Sequence, residues 1–270
     1  AVTCRVCDEE ALARWIDPVR GFMSPADFIP CLEKANLIYK LDLYMLERVL
    51  DKMKRQRQIV GEVVPHSINL SRSDFDACDI VEEIRKRVDA AGVAHDRITI
   101  EITESVAGSD MGFMAGQVER FRKLGFPVWM DDFGSGYSSL DVLQSIKFNL
   151  LKFDMSFMRK LDENDDGRII LTELMKMALS LGIDTICEGV ETEDQVHFLQ
   201  EIGCSRLQGF FFSRPMPIDY ALAYHRSQKL SGYEDPAESS YYEQICGVNL
   251  YDVSVIAREE KTSLKNTYAT

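Results

Sequence analysis

Short apolar segments with strand-like composition alternate with segments of helical periodicity over most of this chain. We predict seven strands, at Thr3–Leu12, Val63–Ser71, Arg97–Thr103, Pro127–Asp132, Phe148–Asp154, Ile183–Glu188 and Ser205–Phe212. Strands that alternate with helices indicate an α/β fold, and 270 residues suit a TIM-like (β/α)8 barrel. One barrel strand is missing from this count, so we expect that it was overlooked or that it preceded Ala1 in a longer parent chain.

The composition changes near residue 227, after a final predicted helix that begins at about Ile218. Gly232, Pro236 and two adjacent serines are typical of a linker, and the remainder is polar with a few apolar clusters. We therefore predict a barrel domain at 1–226. Residues 227–270 are predicted to be an appendage or the start of another domain.

Charge and cysteine content narrow the classes of function. A net charge of −13 argues against a broad basic surface for nucleic-acid polymers, although bound cations can create a local phosphate site.

No apolar run reaches the roughly 18 residues of a membrane span, no signal peptide is visible, and seven scattered cysteines fit a reducing compartment. We expect a cytoplasmic location, although a longer parent could be tethered to a membrane. Cys4 and Cys7 form a CxxC pair without a second pair, so we expect neither zinc nor redox chemistry there.

Two adjacent carboxylates end the fourth predicted strand. An apolar segment leads into Asp131 and Asp132, and a loop with Gly134 and Gly136 follows. Neighbouring aspartates repel each other unless a proton or a cation lies between them, and successive strand side chains alternate faces. The two carboxylates can therefore converge only where the strand gives way to the loop, which is where barrel enzymes have their active sites. The alternative, an acidic strand end before a helix N-cap, explains one such residue better than two.

Polar residues also end nearly every other predicted strand. They are Glu10, Asn69, Glu101, Lys152, Asp154, Glu188, Glu191 and Gln208. In a barrel, these strand ends form one face. The set contains carboxylates and an amide but neither His nor Cys, and hard oxygen ligands favour Mg²⁺ or Mn²⁺ over zinc. The four histidines, His66 among them, show no ligand spacing, and we expect them to be incidental.

So many carboxylates would hold more than one divalent ion. Two metals about 4 Å apart are the usual arrangement for hydrolysing a phosphodiester, because they lower the pKa of a bridging water and neutralise the phosphate oxygens. Composition and spacing therefore indicate a metal-dependent phosphodiester hydrolase.

At these residues the sequence resembles the EAL-domain phosphodiesterases of bacterial cyclic di-GMP signalling. The naming motif stands at residues 10–15, and the match runs from about Val6 to Pro217. Further matching segments, in the family's order, are Ser24–Pro30, Ile68–Ser71, Glu101–Ser105, Asp131–Leu140, Leu151–Asp154, Glu188–Thr192 and Gln208–Pro215. The resemblance implies a barrel that cleaves one phosphodiester of cyclic di-GMP and gives linear pGpG.

The resemblance also implies a metal site with two ions. Glu10, Asn69 and Glu101 would hold the first metal together with Asp131. Asp131 would bridge to a second metal, with Asp132 as a further ligand of that ion. The ions would be Mg²⁺ or Mn²⁺, and Ca²⁺ would inhibit because its larger radius and looser coordination suit such a site poorly.

Other matching residues would act on the water and the substrate. Lys152 would orient the attacking water, and Glu10 and Glu188 would also be catalytic. Glu188 would be a metal ligand or a general base, two roles that the sequence does not separate, and Glu191 would support the metal site. The residues implied to contact the substrate are Leu12, Arg14, Asp154 and Gln208.

A loop after the paired aspartates is implied to couple metal binding to dimerisation. Glu104 would anchor this loop, and we expect a homodimer and further domains of a parent chain as partners. The loop residues concerned are Phe133, Gly134, Ser135, Gly136 and Tyr137.

The chain departs from the family pattern near its start. Members of the family normally carry a strand with a Gln-Pro pair before the naming motif, and this chain begins after it. Asp8 and Glu9 add negative charge where small or apolar residues are usual, whereas a cysteine at position 187 replaces a small residue without expected consequence.

Two alternatives to an active hydrolase remain open. One is a receptor that binds cyclic di-GMP without cleaving it, although every implied metal ligand and the loop motif are retained; a metal-dependent phosphatase on a similar barrel is a weaker candidate. Separately, Asp162–Glu173 satisfies the pattern of an EF-hand calcium loop. We expect that stretch to open a barrel helix, because the incoming helix would be short and no partner hand exists.

Overall fold

The computed structural model describes residue 1 and residues 5–60, 63–136, 139–163 and 165–228. These residues belong to two compact units. The first unit comprises residues 6–149 and the helix that begins at residue 218, and the second comprises residues 150–214 with Ala1 and Arg5. The C-terminal extension expected at 227–270 lies outside the described residues from 229 onward, as do Thr3 and Cys4.

The first unit contains most of the described helices and strands. Its described elements are β1 (Glu9–Glu10), β2 (Trp15–Asp17), β3 (Gly21–Met23), α1 (Pro25–Lys34), α2 (Ile38–Val60), β4 (His66–Leu70), α3 (Arg72–Ala77), α4 (Ile80–Ala91), a 3-10 helix (His95–Arg97), β5 (Ile98–Thr103), α5 (Glu104–Ser109), α6 (Met111–Leu124), β6 (Val128–Phe133), α7 (Ser139–Ser145) and α11 (Ile218–Gln228).

The sheet of the first unit is parallel, with the order β1-β4-β5-β6. One of its faces is apolar, and its side chains, such as Ile68, Ile100 and Met130, are at most 2% exposed. Helices α2 and α6 contact the strands β4 and β6, respectively. The core of this unit therefore lies between the sheet and its helices, which fixes the other face of each strand as the one that carries the polar residues.

The second unit has the same construction on a smaller scale. Its described elements are β7 (Leu150–Phe153), α8 (Ser156–Glu163), α9 (Asp165–Leu181), β8 (Asp184–Cys187), α10 (Glu193–Glu201) and β9 (Arg206–Leu207). The three strands are parallel in the order β7-β8-β9. Leu151, Phe153 and Cys187 are completely buried, so these strands hold a core of their own.

All seven predicted strands are found: six have narrower bounds, and the strand predicted at Pro127–Asp132 is shifted by one residue to Val128–Phe133. The strand predicted at Ser205–Phe212 ends at Leu207, because the chain turns after Gln208: the Val190 carbonyl accepts the Phe211 N–H at 3.0 Å. Within the described residues, the first strand is only Glu9–Glu10.

Three local predictions were wrong. Pro18 and Gly21 predict a loop after Trp15, but this segment forms the antiparallel hairpin β2–β3, whose turn is stabilised by Asp17 accepting backbone N–H groups at 2.8 and 2.9 Å. The charged segment before Gly92 predicts one helix at about Phe75–Ala91, but it forms parts of two helices, because Asp79 caps the second by accepting the Glu82 N–H at 3.3 Å. The helix α5 was not predicted.

The EF-hand pattern at Asp162–Glu173 does not form a calcium loop where it is described. Residues from Asp165 onward are helical, so the prediction that this stretch opens a helix is confirmed, with a start three residues before the expected Arg168. A Cβ atom on Gly167 would lie 2.6 Å from the Lys160 carbonyl oxygen. The glycine therefore permits close packing of α9 on α8.

None of the described helices combines the length and the apolar character needed to cross a membrane.

Candidate functional site

Four predicted metal ligands share one face of the first unit's sheet. The register pairs Glu10 with Ser67, Asn69 with Glu101, and Thr103 with Asp131. Paired residues of parallel strands point to the same side, and so do residues two apart on one strand. Glu10, Asn69, Glu101 and Asp131 therefore all lie on the face opposite to the apolar core.

The side chains on this face differ in exposure. The Asn69 amide donates to Glu10 Oε1 at 3.2 Å, and both groups reach solvent. Glu101 is only 1% exposed, so its carboxylate lies at the bottom of the face. Burying a carboxylate costs free energy unless a cation or hydrogen bonds compensate its charge. A glutamate at this position is therefore expected to have a specific chemical role.

The paired aspartates lie at a strained point of the backbone. Asp132 has φ of 55°, a left-handed conformation that non-glycine residues rarely adopt. This conformation interrupts the regular alternation of side chains at the end of β6, where both carboxylates are half-buried. Asp131 Oδ1 also accepts the Asp132 N–H at 2.9 Å. Strained backbone of this kind is concentrated at functional sites.

Glu104 contacts the loop that follows these aspartates. Its side chain is 3% exposed, and Oε2 accepts the N–H groups of Gly134 at 3.0 Å and Gly136 at 3.3 Å. A Cβ atom on Gly136 would lie 2.5 Å from Glu104 Oε1, so this approach requires glycine. Phe133 is buried and Ser135 is exposed, whereas Tyr137 lies outside the described residues.

The opposite face of β1 and β4 carries a buried ionic cluster. Lys52 of α2 forms an ion pair with Glu9 Oε2, and its Nζ lies 2.7 Å from His66 Nε2. His66 Nε2 lies 2.9 Å from Glu9 Oε2, and Nδ1 lies 2.8 Å from the Val64 carbonyl. Burial lowers the pKa of Lys52, and it also lowers the pKa of His66. His66 was expected to be incidental to the metal site, and it lies on the face opposite to the proposed ligands, in register with Glu9.

The second unit brings two predicted catalytic residues together. Lys152 Nζ lies 2.8 Å from Glu188 Oε1, and the two side chains are 1% and 18% exposed. The Glu188 N–H donates to the Phe153 carbonyl at 3.0 Å, which continues the ladder one residue beyond β8. The lysine is therefore fixed within the sheet, with its ammonium group at the carboxyl ends of the strands.

The other predicted residues of the second unit have structural contacts of their own. Asp154 Oδ1 accepts the Ser156 N–H at 2.9 Å at the start of α8. Burial raises the pKa of Asp154, but hydrogen bonds from Ser156 outweigh it and hold the pKa below its usual value. Glu191 is exposed, and its N–H donates to Gln195 Oε1 at 2.8 Å. The Gln208 N–H donates to the Cys187 carbonyl at 2.9 Å, so its half-buried side chain lies just past β9.

The predicted substrate contacts of the first unit are accessible. Leu12 is 40% exposed directly after β1. Arg14 is also exposed, and its Nη1 donates to the neighbouring Ala13 carbonyl at 2.8 Å. This local hydrogen bond leaves other guanidinium donors for a ligand.

The donor types of the first unit fit a hard divalent cation. Three carboxylates and one amide oxygen on a shared face are the ligands that Mg²⁺ and Mn²⁺ prefer. In the part of the chain that the structure describes, no three His, Cys, Asp or Glu side chains are already gathered as a metal cage. The fit therefore rests on donor chemistry and on the shared face.

Comparisons with known proteins show the family of this chain. A family model described as "EAL domain" matches residues 1–215. An uncharacterized protein of Mycobacterium tuberculosis is 34% identical over 209 residues, which cover 77% of this chain and 34% of that protein. The cyclic di-GMP phosphodiesterase NbdA of Pseudomonas aeruginosa is 33% identical, over 77% of this chain and 27% of NbdA. The chain thus spans about a third of the length of the curated relatives it matches.

Solved structures confirm the fold class predicted from the sequence, an α/β fold of the TIM-like type. The phosphodiesterase MucR, in complex with c-di-GMP, has a TM-score of 0.73 and 32% identity, over 78% of this chain and 86% of that one. The EAL domain of Mycobacterium smegmatis DcpA has a TM-score of 0.71 and 28% identity, over 87% of this chain and 95% of that one.

Proposed function

Because the chain belongs to the EAL-domain family, we propose that it is a metal-dependent phosphodiesterase that hydrolyses cyclic di-GMP to linear pGpG. The observation that carries this proposal is the shared face of Glu10, Asn69, Glu101 and Asp131, which supplies a full set of oxygen ligands. The names of relatives support it, since NbdA is named a cyclic di-GMP phosphodiesterase and MucR was solved with c-di-GMP.

In this proposal the first unit supplies the metal ligands. Glu10, Asn69, Glu101 and Asp131 hold one Mg²⁺ or Mn²⁺ ion, and Asp131 with Asp132 holds a second. Bound metal supplies a water of lowered pKa and neutralises charge on the phosphate. The left-handed backbone at Asp132 suits this role, because it interrupts the regular alternation of side chains at the end of β6.

The resemblance to the family supports roles for Lys152 and Glu188 on the attacking water. The Lys152 ammonium donates a hydrogen bond that orients the attacking water, and its ion pair with Glu188 holds it in one position. Glu188 either ligates metal or accepts the proton that the water loses, and Glu191 supports the metal site. A lysine that is 1% exposed cannot reorient freely, which suits an orienting role.

Substrate contacts are assigned to the residues that reach solvent. Arg14 offers guanidinium donors that suit a phosphate, and Leu12 offers an exposed apolar surface. Asp154 and Gln208 complete the set of polar contacts. The Asp154 carboxylate is ionised at neutral pH because its pKa lies below the usual value, so it accepts hydrogen bonds from a ligand.

The loop contact of Glu104 is proposed to couple metal binding to a homodimer. The carboxylate holds the backbone N–H groups directly after the paired aspartates, so a change at Asp131 and Asp132 reaches the loop. Light scattering with and without Mn²⁺ and substrate tests this coupling. Only monomer at high concentration, with both ligands present, would contradict the dimer.

The competing function is a receptor that binds cyclic di-GMP without cleaving it. The decisive experiment incubates the chain with cyclic di-GMP and Mg²⁺ or Mn²⁺ and follows pGpG by chromatography. A matched sample with excess EDTA is the control. Metal-dependent appearance of pGpG is expected, whereas a chain that binds cyclic di-GMP but yields no product with either metal is a receptor.

A further inference from the structure

Glu9 lies next to the proposed metal ligand Glu10 in β1 but on the opposite face of the strand. We propose that Glu9, Lys52 and His66 form a positioning network that fixes β1, so that Glu10 faces the metal site. The inference rests on the proposed function, since Glu10 needs such positioning only if it binds metal.

The strand that carries Glu10 needs support. It is two residues long, and its backbone bonds to β4 include Glu9 N–H to Pro65 O at 3.0 Å and Ala11 N–H to Ser67 O at 3.1 Å. Strands in folded proteins usually have five or six residues. So few ladder bonds set the register but leave the rotation of the strand about its axis weakly constrained.

The network supplies this missing constraint. Glu9 is tied through one carboxylate oxygen to Lys52 on α2, and Lys52 Nζ in turn lies 2.7 Å from His66 Nε2 on β4. Lys52 is 6% exposed and His66 is 2% exposed, so neither side chain can move without disturbing the core. Donation of Nδ1–H to the Val64 carbonyl would leave His66 Nε2 as an acceptor for the ammonium group. Because adjacent strand residues point to opposite faces, holding Glu9 on the helix side holds Glu10 on the other.

The cost of burial supports a positioning role. Burying an ammonium and a carboxylate costs several kcal/mol of desolvation, and a well-packed apolar pair is often equally stable. Stability alone therefore gives no reason for charges at these positions. A directional network does give one, because it permits a single orientation of the strand, which an apolar contact would not enforce.

The test measures Mn²⁺ binding without substrate, by electron paramagnetic resonance, well below the unfolding temperature. Glu9→Gln keeps the side-chain volume but removes the charge, and Lys52→Met removes the ammonium. Each is expected to weaken Mn²⁺ binding about tenfold, the size expected for residues that orient a ligand. The double variant is expected to be no weaker than the worse single variant, because both changes break one network.

Arg55→Met is the matched control. Arg55 lies on the same helix as Lys52 and forms an exposed ion pair with Asp219 at 2.7 Å. The variant therefore removes a cation from α2 without changing a contact of β1. Its Mn²⁺ affinity is expected to equal that of the wild type.

A second measurement separates positioning from general destabilisation. Amide exchange at Ala11 is expected to speed up in Glu9→Gln, and its kcat is expected to recover at saturating Mn²⁺ with an unchanged KM for cyclic di-GMP. If Glu9→Gln has the same Mn²⁺ affinity and the same rate of amide exchange at Ala11 as the wild type, the inference is overturned. If Lys52→Met does not fold, the isosteric Glu9→Gln variant decides alone. A wild type that binds no Mn²⁺ would instead refute the proposed function.

Discussion

The two faces of β1 and β4 compensate adjacent carboxylates in different ways. On the helix side, Glu9 is paired with Lys52, a cation that the chain itself provides. On the other side, Glu10 meets the neutral Asn69 amide at 3.2 Å, on the same face of the sheet as Glu101 and Asp131. The chain thus neutralises one glutamate internally and presents the next to the ligand side of the sheet.

On this single pair of strands, one face therefore carries a structural ion pair and the other face carries the proposed metal ligands. A built-in ion pair is permanent, so it is suited to fixing the orientation of the strand. A cluster of oxygen ligands binds a cation from solution, which can be loaded, exchanged or removed. The comparison predicts that changes on the ligand side affect hydrolysis most, whereas changes on the helix side act through metal affinity or stability.

The largest expected effect follows Asp131→Asn. A neutral amide removes charge from the proposed two-metal site, so hydrolysis is expected to fall about 1000-fold, or roughly 4 kcal/mol of transition-state stabilisation. Affinity for cyclic di-GMP is expected to fall much less, because Arg14 and Gln208 are untouched. Hydrolysis rate and binding affinity are compared in one Mg²⁺ buffer.

Asp141→Asn is the control for this substitution. Asp141 is an exposed carboxylate in the first turn of α7, so the variant loses the same charge without touching the ligand face. Its turnover is expected to match the wild type. Unchanged turnover in Asp131→Asn would mean that the metals are placed wrongly.

The second largest effect is expected for Lys152→Met, which sharpens the comparison between buried lysines. Lys152 pairs with Glu188 at 2.8 Å, as Lys52 pairs with Glu9, but Lys152 is assigned to the water. Lys152→Met is expected to lower kcat about 100-fold even at saturating Mn²⁺, whereas Lys52→Met is expected to recover there. Kinetics of both variants across a Mn²⁺ titration check this, and recovery of Lys152→Met at high Mn²⁺ would remove the distinction.

The sequence was sufficient to predict the repeating α/β pattern and the shared face of the proposed metal ligands. Apolar strands end in polar residues, so local patterns alone were enough to place Asn69, Glu101 and Asp131 near the carboxyl ends of their strands. The Glu9 cluster was not found, because its members are 43 and 14 residues apart along the chain and are joined only by strand register and helix packing. The hairpin β2–β3 was missed because its turn depends on side-chain acceptance by Asp17.

A third prediction concerns the choice of cation. Ca²⁺ prefers more ligands and longer bonds than the near-octahedral geometry that Mg²⁺ demands, so it is expected to occupy the ligand face without supporting hydrolysis. With Mn²⁺ at a concentration that supports full turnover, an equal concentration of Ca²⁺ is expected to lower the turnover rate about tenfold. Product formation during a Ca²⁺ titration measures it. Activation by micromolar Ca²⁺ that is lost in Glu173→Gln would instead support the EF-hand interpretation.

A smaller effect is expected for Gly136→Ala. The new Cβ atom would lie 2.5 Å from Glu104 Oε1, so the loop must move away from the carboxylate that accepts its N–H groups. Mn²⁺ affinity is expected to fall about tenfold, since the loop directly follows Asp131 and Asp132. Gly116→Ala is the control, because its Cβ atom would meet nothing within 4 Å. Equal Mn²⁺ affinities in the two variants would argue against coupling through Glu104.

A third form of compensation occurs in Asp42 and Asp74, where the neutralising group is a proton. Burial raises the pKa of Asp42 to about 9, with a further contribution from the Asp74 carboxylate. Burial also raises the pKa of Asp74 to about 6. Asp74 is completely buried, and its Oδ2 accepts the Ser71 N–H at 2.7 Å. The pair therefore shares a proton at neutral pH, as closely spaced buried carboxyl groups do.

This proton makes the smallest expected effect, a dependence of stability on pH. Both folded-state pKa values are raised above 3.8, so between pH 4 and 9 the folded chain holds protons that the unfolded chain releases, and stability falls as the pH rises. Asp42→Asn keeps a donor to Asp74 and removes one titration, so at pH 8 it is expected to be more stable by about 1 kcal/mol, or roughly 2–4 °C in Tm. At pH 4 the variant and the wild type are expected to melt together. Asp76→Asn makes the same substitution at an exposed carboxylate of α3 and is expected to show no such crossover in thermal melts. A wild type whose Tm relative to Asp42→Asn is constant from pH 4 to 9 would mean that this pair is compensated in some way other than by a shared proton.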